Sequence, residues 1–275
     1  MVTFDTRMPT IYLPHGGGPC FFMDWTMGPT DTWDRMADWL RALIAGLAHR
    51  PRAILVISGH WEDSELAVTA ADHPSLLFDY YGFPPHTYEL QWPAPGSPEL
   101  AGEIGKLLSG SGFANRQDTN RGFDHGVFVP LKVALPQADI PTVALSLLDG
   151  LDAETHLAIG RALTPLRDEG VLIVGSGMSY HNMNGFMTDR SLAISREFGG
   201  WLDGAISAAP AKRDRMLADW ESAPRAREAH PREEHLIPLM VVAGAAGTDI
   251  GVSMFEDVVM GASVSAYGFG VAADA

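Results

Sequence analysis

Three runs of strand length are apolar almost without a break: Ala53-Ile54-Leu55-Val56-Ile57-Ser58, Thr142-Val143-Ala144-Leu145-Ser146-Leu147 and Val171-Leu172-Ile173-Val174-Gly175-Ser176. A strand with one wet face alternates apolar and polar residues, so a continuous run needs cover on both faces. Stretches of helical period lie between the runs. Trp33, Met36, Leu40 and Ile44 recur at three- and four-residue spacing after Thr30 or Asp31, either of which can cap a helix. Ser97-Pro98 reads as an N-cap followed by proline in the first turn of a helix reaching about residue 108. The stretch 152–168 has helical period and ends before Gly170. Two helices are expected between residues 191 and 221, one over about 231–246, and a last strand at 263–267. Buried strands separated by helices predict an α/β fold with a largely parallel or mixed central sheet flanked by helices and the active site at the carboxyl ends of the strands. No linker or internal repeat divides residues 1–275, so one catalytic domain is the expectation. At 275 residues and 46% hydrophobic, the chain can bury a sizeable core.

A formal net charge of −15 opposes phosphate backbones and anionic lipid, which argues against nucleic-acid and membrane partners. One cysteine, Cys20, precludes an intrachain disulfide and fits a reducing compartment. The N-terminus carries Asp5 and Arg7 and no long apolar core, unlike a secretory signal. The most apolar stretch, 236–247, contains Pro238 and falls short of the roughly 20 residues that span a bilayer. A cytoplasmic protein is expected. Nothing in the sequence encodes an oligomeric state.

The histidines carry the chemistry. Of ten, His15 follows a short apolar run ending in Leu13-Pro14, His60 follows the run 53–58, and His181 follows Gly175-Ser176-Gly177. His125 sits between Gly122 and Gly126, expected to permit a sharp turn, and His235 lies near the start of the late helix. One histidine after a strand is more often a hydrogen-bonded structural residue than a ligand. Several at strand ends converge in an open sheet, and imidazole clusters suit iron or zinc. The absence of His-Glu-x-x-His excludes a zincin helix, and one cysteine excludes Cys-rich structural zinc. No Gly-x-Ser-x-Gly is present to support serine hydrolysis, and Cys20 is better read as a small buried thiol than as a nucleophile. Gly175-Ser176-Gly177 lacks the third glycine and the downstream acid of a dinucleotide turn. Residues 72–98 are irregular and rich in proline and aromatics, including Phe78, Tyr80, Tyr81, Phe83, Tyr88 and Trp92, as expected of the wall of a binding site.

Taken together, these stretches resemble the class III extradiol dioxygenases, specifically the group named for dihydroxyphenylalanine 4,5-dioxygenase. The resemblance runs in order through Leu13-Pro14-His15-Gly16-Gly17-Gly18-Pro19, Ile57-Ser58-Gly59-His60-Trp61, Tyr80-Tyr81-Gly82-Phe83-Pro84, Trp92-Pro93-Ala94-Pro95-Gly96-Ser97-Pro98 and Arg121-Gly122-Phe123-Asp124-His125-Gly126. It ends with Gly175-Ser176-Gly177, His181-Asn182 and Glu234-His235-Leu236-Ile237-Pro238-Leu239. The resemblance implies a non-haem metal, Fe(II) with Zn(II) as the alternative, held by His15, His60 and His235. Glu233 and Glu234 beside His235 leave a carboxylate ligand open. His181 matches the family's acid–base histidine, with a fourth-ligand role as an alternative, and His125 matches a histidine beside substrate and oxygen. The implied partners are a small aromatic diol and O2, and the implied reaction is extradiol opening of a catechol ring. A zinc-dependent hydrolase or lyase-type enzyme on the same scaffold and a binding protein without turnover are the competing expectations. Arg121 and Arg225 are candidates for a substrate carboxylate.

Overall fold

In a computed structural model that describes residues 7–271, the buried runs become neighbours in one eight-stranded sheet. The strands are β1 (Thr10–Pro14), β2 (Ala53–Asp63), β3 (Leu66–Thr69), β4 (Asn115–Asp118), β5 (Thr142–Leu148), β6 (Val171–Gly177), β7 (Gly251–Val259) and β8 (Ala262–Phe269). Their order is β4-β3-β5-β2-β6-β1-β8-β7. β5, β2, β6 and β1 pair in parallel, which is the expected core, while β3 on β5 and the β7–β8 hairpin on β1 add antiparallel flanks. The residues Asp5 and earlier, read above for a secretory signal, lie outside the described residues.

The helices are α1 (Asp34–Leu43), α2 (Pro98–Gly110), α3 (His125–Ala134), α4 (Ala153–Leu163), α5 (Pro165–Asp168), α6 (Ser191–Ile206), α7 (Pro210–Ala218), α8 (Ala226–Ala229) and α9 (Ile237–Ala246). Adjacent residues of a strand face opposite sides, and β6 shows how this layers the fold. A Cβ at Gly175 would come within 2.6 Å of the Pro238 carbonyl oxygen in α9, whereas the next residue, Ser176, donates its hydroxyl to the Gly126 carbonyl in α3. α9 therefore covers one face and α3 the other. α9 is apolar on every side and buried throughout, with α4 packed along it. Its last carbonyls, at Ala245 and Ala246, accept from the buried Arg167 guanidinium, which satisfies acceptors a helix end otherwise leaves open.

Several expectations need correction. α1 begins after Trp33 without a side-chain cap from Thr30 or Asp31. The stretch 152–168 is two helices, because Pro165 cannot continue the ladder of α4, although Asp152 does cap it through the Thr155 N–H. α9 starts at Ile237, not near residue 231. β2 extends beyond the apolar run 53–58 to Asp63, past an irregularity in its pairing with β5 between Ile57 and Glu62. The four-residue strands β3 and β4 and the edge strand β7 were not legible.

Candidate metal centre

The segments that converge at the carboxyl end of the parallel strands bring five histidines together. His15 follows β1 directly, and Gly16 and Gly18 beyond it have φ of 86° and 55°, which glycine adopts without strain. His60 lies within β2, inside the irregularity between Ile57 and Glu62 that interrupts the β5 ladder. His235 precedes α9 and is held by its own carbonyl, which accepts from the Tyr12 hydroxyl at 2.7 Å and the Met178 N–H at 3.1 Å. Gly177 and Gly59 make this approach feasible. A Cβ on Gly177 would overlap the His235 carbonyl, and one on Gly59 would lie 3.0 Å from the Glu234 carbonyl. The glycine-serine-glycine run thus serves close packing.

His125 is the first residue of α3, whose N-cap Asp124 accepts from the Val127 N–H at 3.3 Å. Neither Gly122 nor Gly126 takes a positive φ, and Gly126 lies inside α3, so the glycines are not there for a left-handed turn. Gly122 and Gly126 are needed because a Cβ at either would collide, with the Ser75 carbonyl at 2.6 Å for Gly122 and with the Ser58 hydroxyl for Gly126. Asp124 also accepts from Ser58 at 2.7 Å and from Arg121 at 3.2 Å, and burial nonetheless raises its pKa. His181 lies four residues past the end of β6, its N–H bonded to the Ala229 carbonyl at 3.0 Å.

Three imidazoles point their Nε2 atoms at one another. His60 Nε2 lies 3.3 Å from His15 Nε2 and 3.1 Å from His235 Nε2. His15 Nδ1 lies 2.8 Å from the Gly16 carbonyl oxygen, and His235 Nδ1 lies 2.9 Å from Glu234 Oε1. Both partners only accept, so these Nδ1 atoms carry the protons and both Nε2 atoms present lone pairs. A single proton on His60 Nε2 can be given to only one of its two neighbours, so at least one Nε2 lone pair is left without a hydrogen. A cation held among the three nitrogens, with the His60 proton released or moved to Nδ1, satisfies all of them. Two nitrogens each about 2.1 Å from one ion stand roughly 3.0–3.4 Å apart at angles from 90° to tetrahedral. The observed separations lie in that range, and the three donors fit a transition metal. Burial holds His15 and His235 well below the ordinary imidazole pKa and His60 down to about 3, each pushed further by neighbouring histidines. All three are then neutral, the form that binds a metal.

His181 and His125 flank this trio. The His181 ring stacks on His235, with centroids 3.4 Å apart, and its Nδ1 lies 3.1 Å from Glu234 Oε1. The His125 ring lies 3.9 Å from that of His60, and its Nδ1 donates to Asp79 Oδ1 at 2.8 Å. Asp79 is a site residue that sequence reasoning missed; a lone aspartate in an irregular segment carries no spacing signal. Around it, Tyr80 stands edge-on to His125 at 5.8 Å and packs with Phe78, Tyr88 and Phe128, so part of the aromatic segment does wall the site. Arg121 and Arg225 already hold carboxylates, Asp124 for the first and Glu197 and Glu228 for the second. Cys20 is buried, and burial drives its thiol pKa far up, away from nucleophilic use. Among the described residues no helix is long and apolar enough to cross a membrane.

Residues 9–272 match the family described as the catalytic LigB subunit of aromatic ring-opening dioxygenase. The chain is 37% identical to a protein named dioxygenase tasH from Hapsidospora irregularis, over 97% of this chain and 87% of that one. It is 44% identical to a 4,5-DOPA dioxygenase extradiol of Beta vulgaris, over 72% of this chain and 74% of the relative. A crystal structure of the uncharacterised protein JW3007 from Escherichia coli K12 superposes with a TM-score of 0.76 at 29% identity, covering 96% of this chain and all of the other.

Proposed function

The chain belongs to the family of catalytic LigB subunits of aromatic ring-opening dioxygenases, and from that premise we propose that it opens a catechol-type ring with O2 at a ferrous ion held by His15, His60 and His235. It is an extradiol ring-opening dioxygenase, and the finer reading concerns the metal, the substrate class and the roles of single residues. The observation that carries this reading is the convergence of three imidazole Nε2 atoms, with separations of 3.1 and 3.3 Å from the His60 nitrogen to the other two. When bound, a redox-active divalent ion supplies open coordination positions and a path for electrons from ring to oxygen.

The protein's own groups do the rest. His181 has its Nδ1 directed to Glu234, so its Nε2 is the atom that takes a substrate hydroxyl proton and later returns it. His125, with its Nδ1 proton committed to Asp79, offers Nε2 as an acceptor that orients the second hydroxyl. Tyr80 and its aromatic neighbours supply apolar cover for a flat ring and keep water away from it. The substrate is a small aromatic diol. We also infer one catalytic unit over residues 1–275 and a cytoplasmic protein, supported by the continuous sheet and the single cysteine.

The test is reconstitution with ferrous iron without oxygen, followed by air and a panel of catechols, with oxygen uptake and the visible spectrum read together. Uptake matched to a yellow ring-fission product is expected. Absence of uptake with every catechol, at one iron per chain, would overturn the reading and turn the search to turnover under nitrogen with zinc.

A further inference from the structure

Two carboxylates stand behind the histidines in the same arrangement. Asp79, on the irregular segment between β3 and α2, accepts through Oδ1 from both the His125 N–H at 2.9 Å and His125 Nδ1 at 2.8 Å. Its Oδ2 faces His60 Nδ1 at 3.7 Å. Glu234 accepts through Oε1 from His235 Nδ1 at 2.9 Å, and the same oxygen lies 3.1 Å from His181 Nδ1. Each carboxylate therefore spans one imidazole of the converging trio and one flanking imidazole, always from the Nδ1 side. Both side chains are largely enclosed, at 20% and 13% exposure, so water competes weakly for these bonds.

We propose that Asp79 and Glu234 are positioning residues that hold the Nδ1–H tautomer of His125, His181 and His235, so that each of these rings turns a bare Nε2 toward the reaction space. The proposal rests on the functional reading above for what then meets those atoms. A neutral imidazole carries its proton on either nitrogen, and a fixed acceptor at one of them decides which. With the proton on Nε2, His235 has no lone pair for a cation, and His125 and His181 have none for a substrate hydroxyl. The two carboxylates also bring negative charge to the pocket; Arg121 is engaged with Asp124 and the His60 carbonyl, while Arg232, paired with Glu62, also lies 3.6 Å from Glu234 Oε2 and offsets part of that charge.

The two distances to the trio separate the roles. Glu234 is bonded to a ring of the trio, whereas Asp79 lies beyond hydrogen-bond reach of His60. Glu234→Ala should then weaken zinc binding about 10- to 100-fold, as losing an outer partner of a ligand histidine does. Asp79→Ala should leave zinc binding within about threefold and lower kcat by about 10- to 100-fold with little change in KM, the pattern of a lost interaction beyond ground-state binding. Zinc affinity is read by titration against a chromophoric chelator. Ring-proton placement is read by 15N NMR of histidine-labelled metal-free protein. Asp79→Ala should move the His125 proton toward Nε2, and Asp79→Asn, whose amide oxygen still accepts both bonds, should restore the tautomer and most of kcat. Unchanged zinc affinity in Glu234→Ala, or an unmoved His125 tautomer in Asp79→Ala, would overturn the proposal. The zinc and NMR measurements need no turnover, so a failure of the catechol assay in the unmodified protein is seen separately.

Discussion

Replacing His230 with phenylalanine should remove a pH dependence of stability that originates far from the surface. His230 is fully buried, and its Nε2 donates to the Ser179 carbonyl at 3.0 Å while Nδ1 has no partner. The ring packs on Phe198 and Trp220, with centroids 5.3 and 6.2 Å away. Burial drives its pKa down to about 3, against the opposing pull of the Ser179 bond. In the unfolded chain the same imidazole titrates near about 6.5. Below that pH the unfolded state takes a proton that the folded state refuses, so stability is complete above about 6.5 and falls as pH falls toward the folded value. Across 1.5 pH units, from 6.5 to 5, the loss is about 2 kcal/mol at roughly 1.4 kcal/mol per unit. Phenylalanine gives up the hydrogen bond, about 1 kcal/mol at every pH, and with it the titration. The stability advantage of the unmodified protein over His230→Phe should therefore shrink by about 2 kcal/mol between pH 8 and pH 5. Urea unfolding of metal-free protein, followed by tryptophan fluorescence, measures both curves, and the other histidines cancel in the difference. A difference that stays constant from pH 8 to pH 5 would refute the reasoning. The consequence reaches the site, because Ala229, the neighbour of His230, accepts the His181 N–H.

Other outcomes are expected from single substitutions. Alanine at His15, His60 or His235 should each strip most bound metal, whereas His181→Gln should retain metal and lose ring opening; metal analysis alongside oxygen uptake distinguishes the two, and full metal in an alanine variant removes that residue from the ligand set. Gly177→Ala forces a Cβ into the His235 carbonyl, so a loss of about 1–3 kcal/mol together with weaker metal retention is expected in urea unfolding and metal analysis. Tyr12→Phe removes one of two donors to that carbonyl, and with the Met178 N–H still in place the cost should be only about 0.5–1.5 kcal/mol by the same unfolding assay.

The parallel core was legible because full burial on both faces writes itself as an unbroken apolar run, and β2, β5 and β6 sit where those runs are. The flanks were not. β7 mixes Val252 and Val258 at the surface with a half-buried Met254 and an irregular register, which blurs a period of two. β4, Asn115–Asp118, contains no apolar residue. At the site, histidine after a strand was a usable signal for His15 and His181, and the family resemblance implied the roles of His125 and His235. Asp79 escaped because its position is set by the path of an irregular segment, which no local periodicity records. The glycine runs were visible, but their reason was not. Gly59, Gly126, Gly175 and Gly177 are required by what another segment brings against them, and that is a tertiary fact.

The irregular segment between β3 and α2 carries two things on one stretch of chain. Tyr80 stands edge-on to His125 with Phe78 and Tyr88 packed against it, and the adjacent Asp79 grips that histidine by its ring and its backbone. A chimaera that borrows this stretch from a relative to accommodate a differently shaped ring also exchanges the acceptor that orients His125. Recombination within the fold then exchanges the two as a single cassette: if Asp79 holds the His125 tautomer as proposed, new walls should work only with an oxygen acceptor kept at position 79.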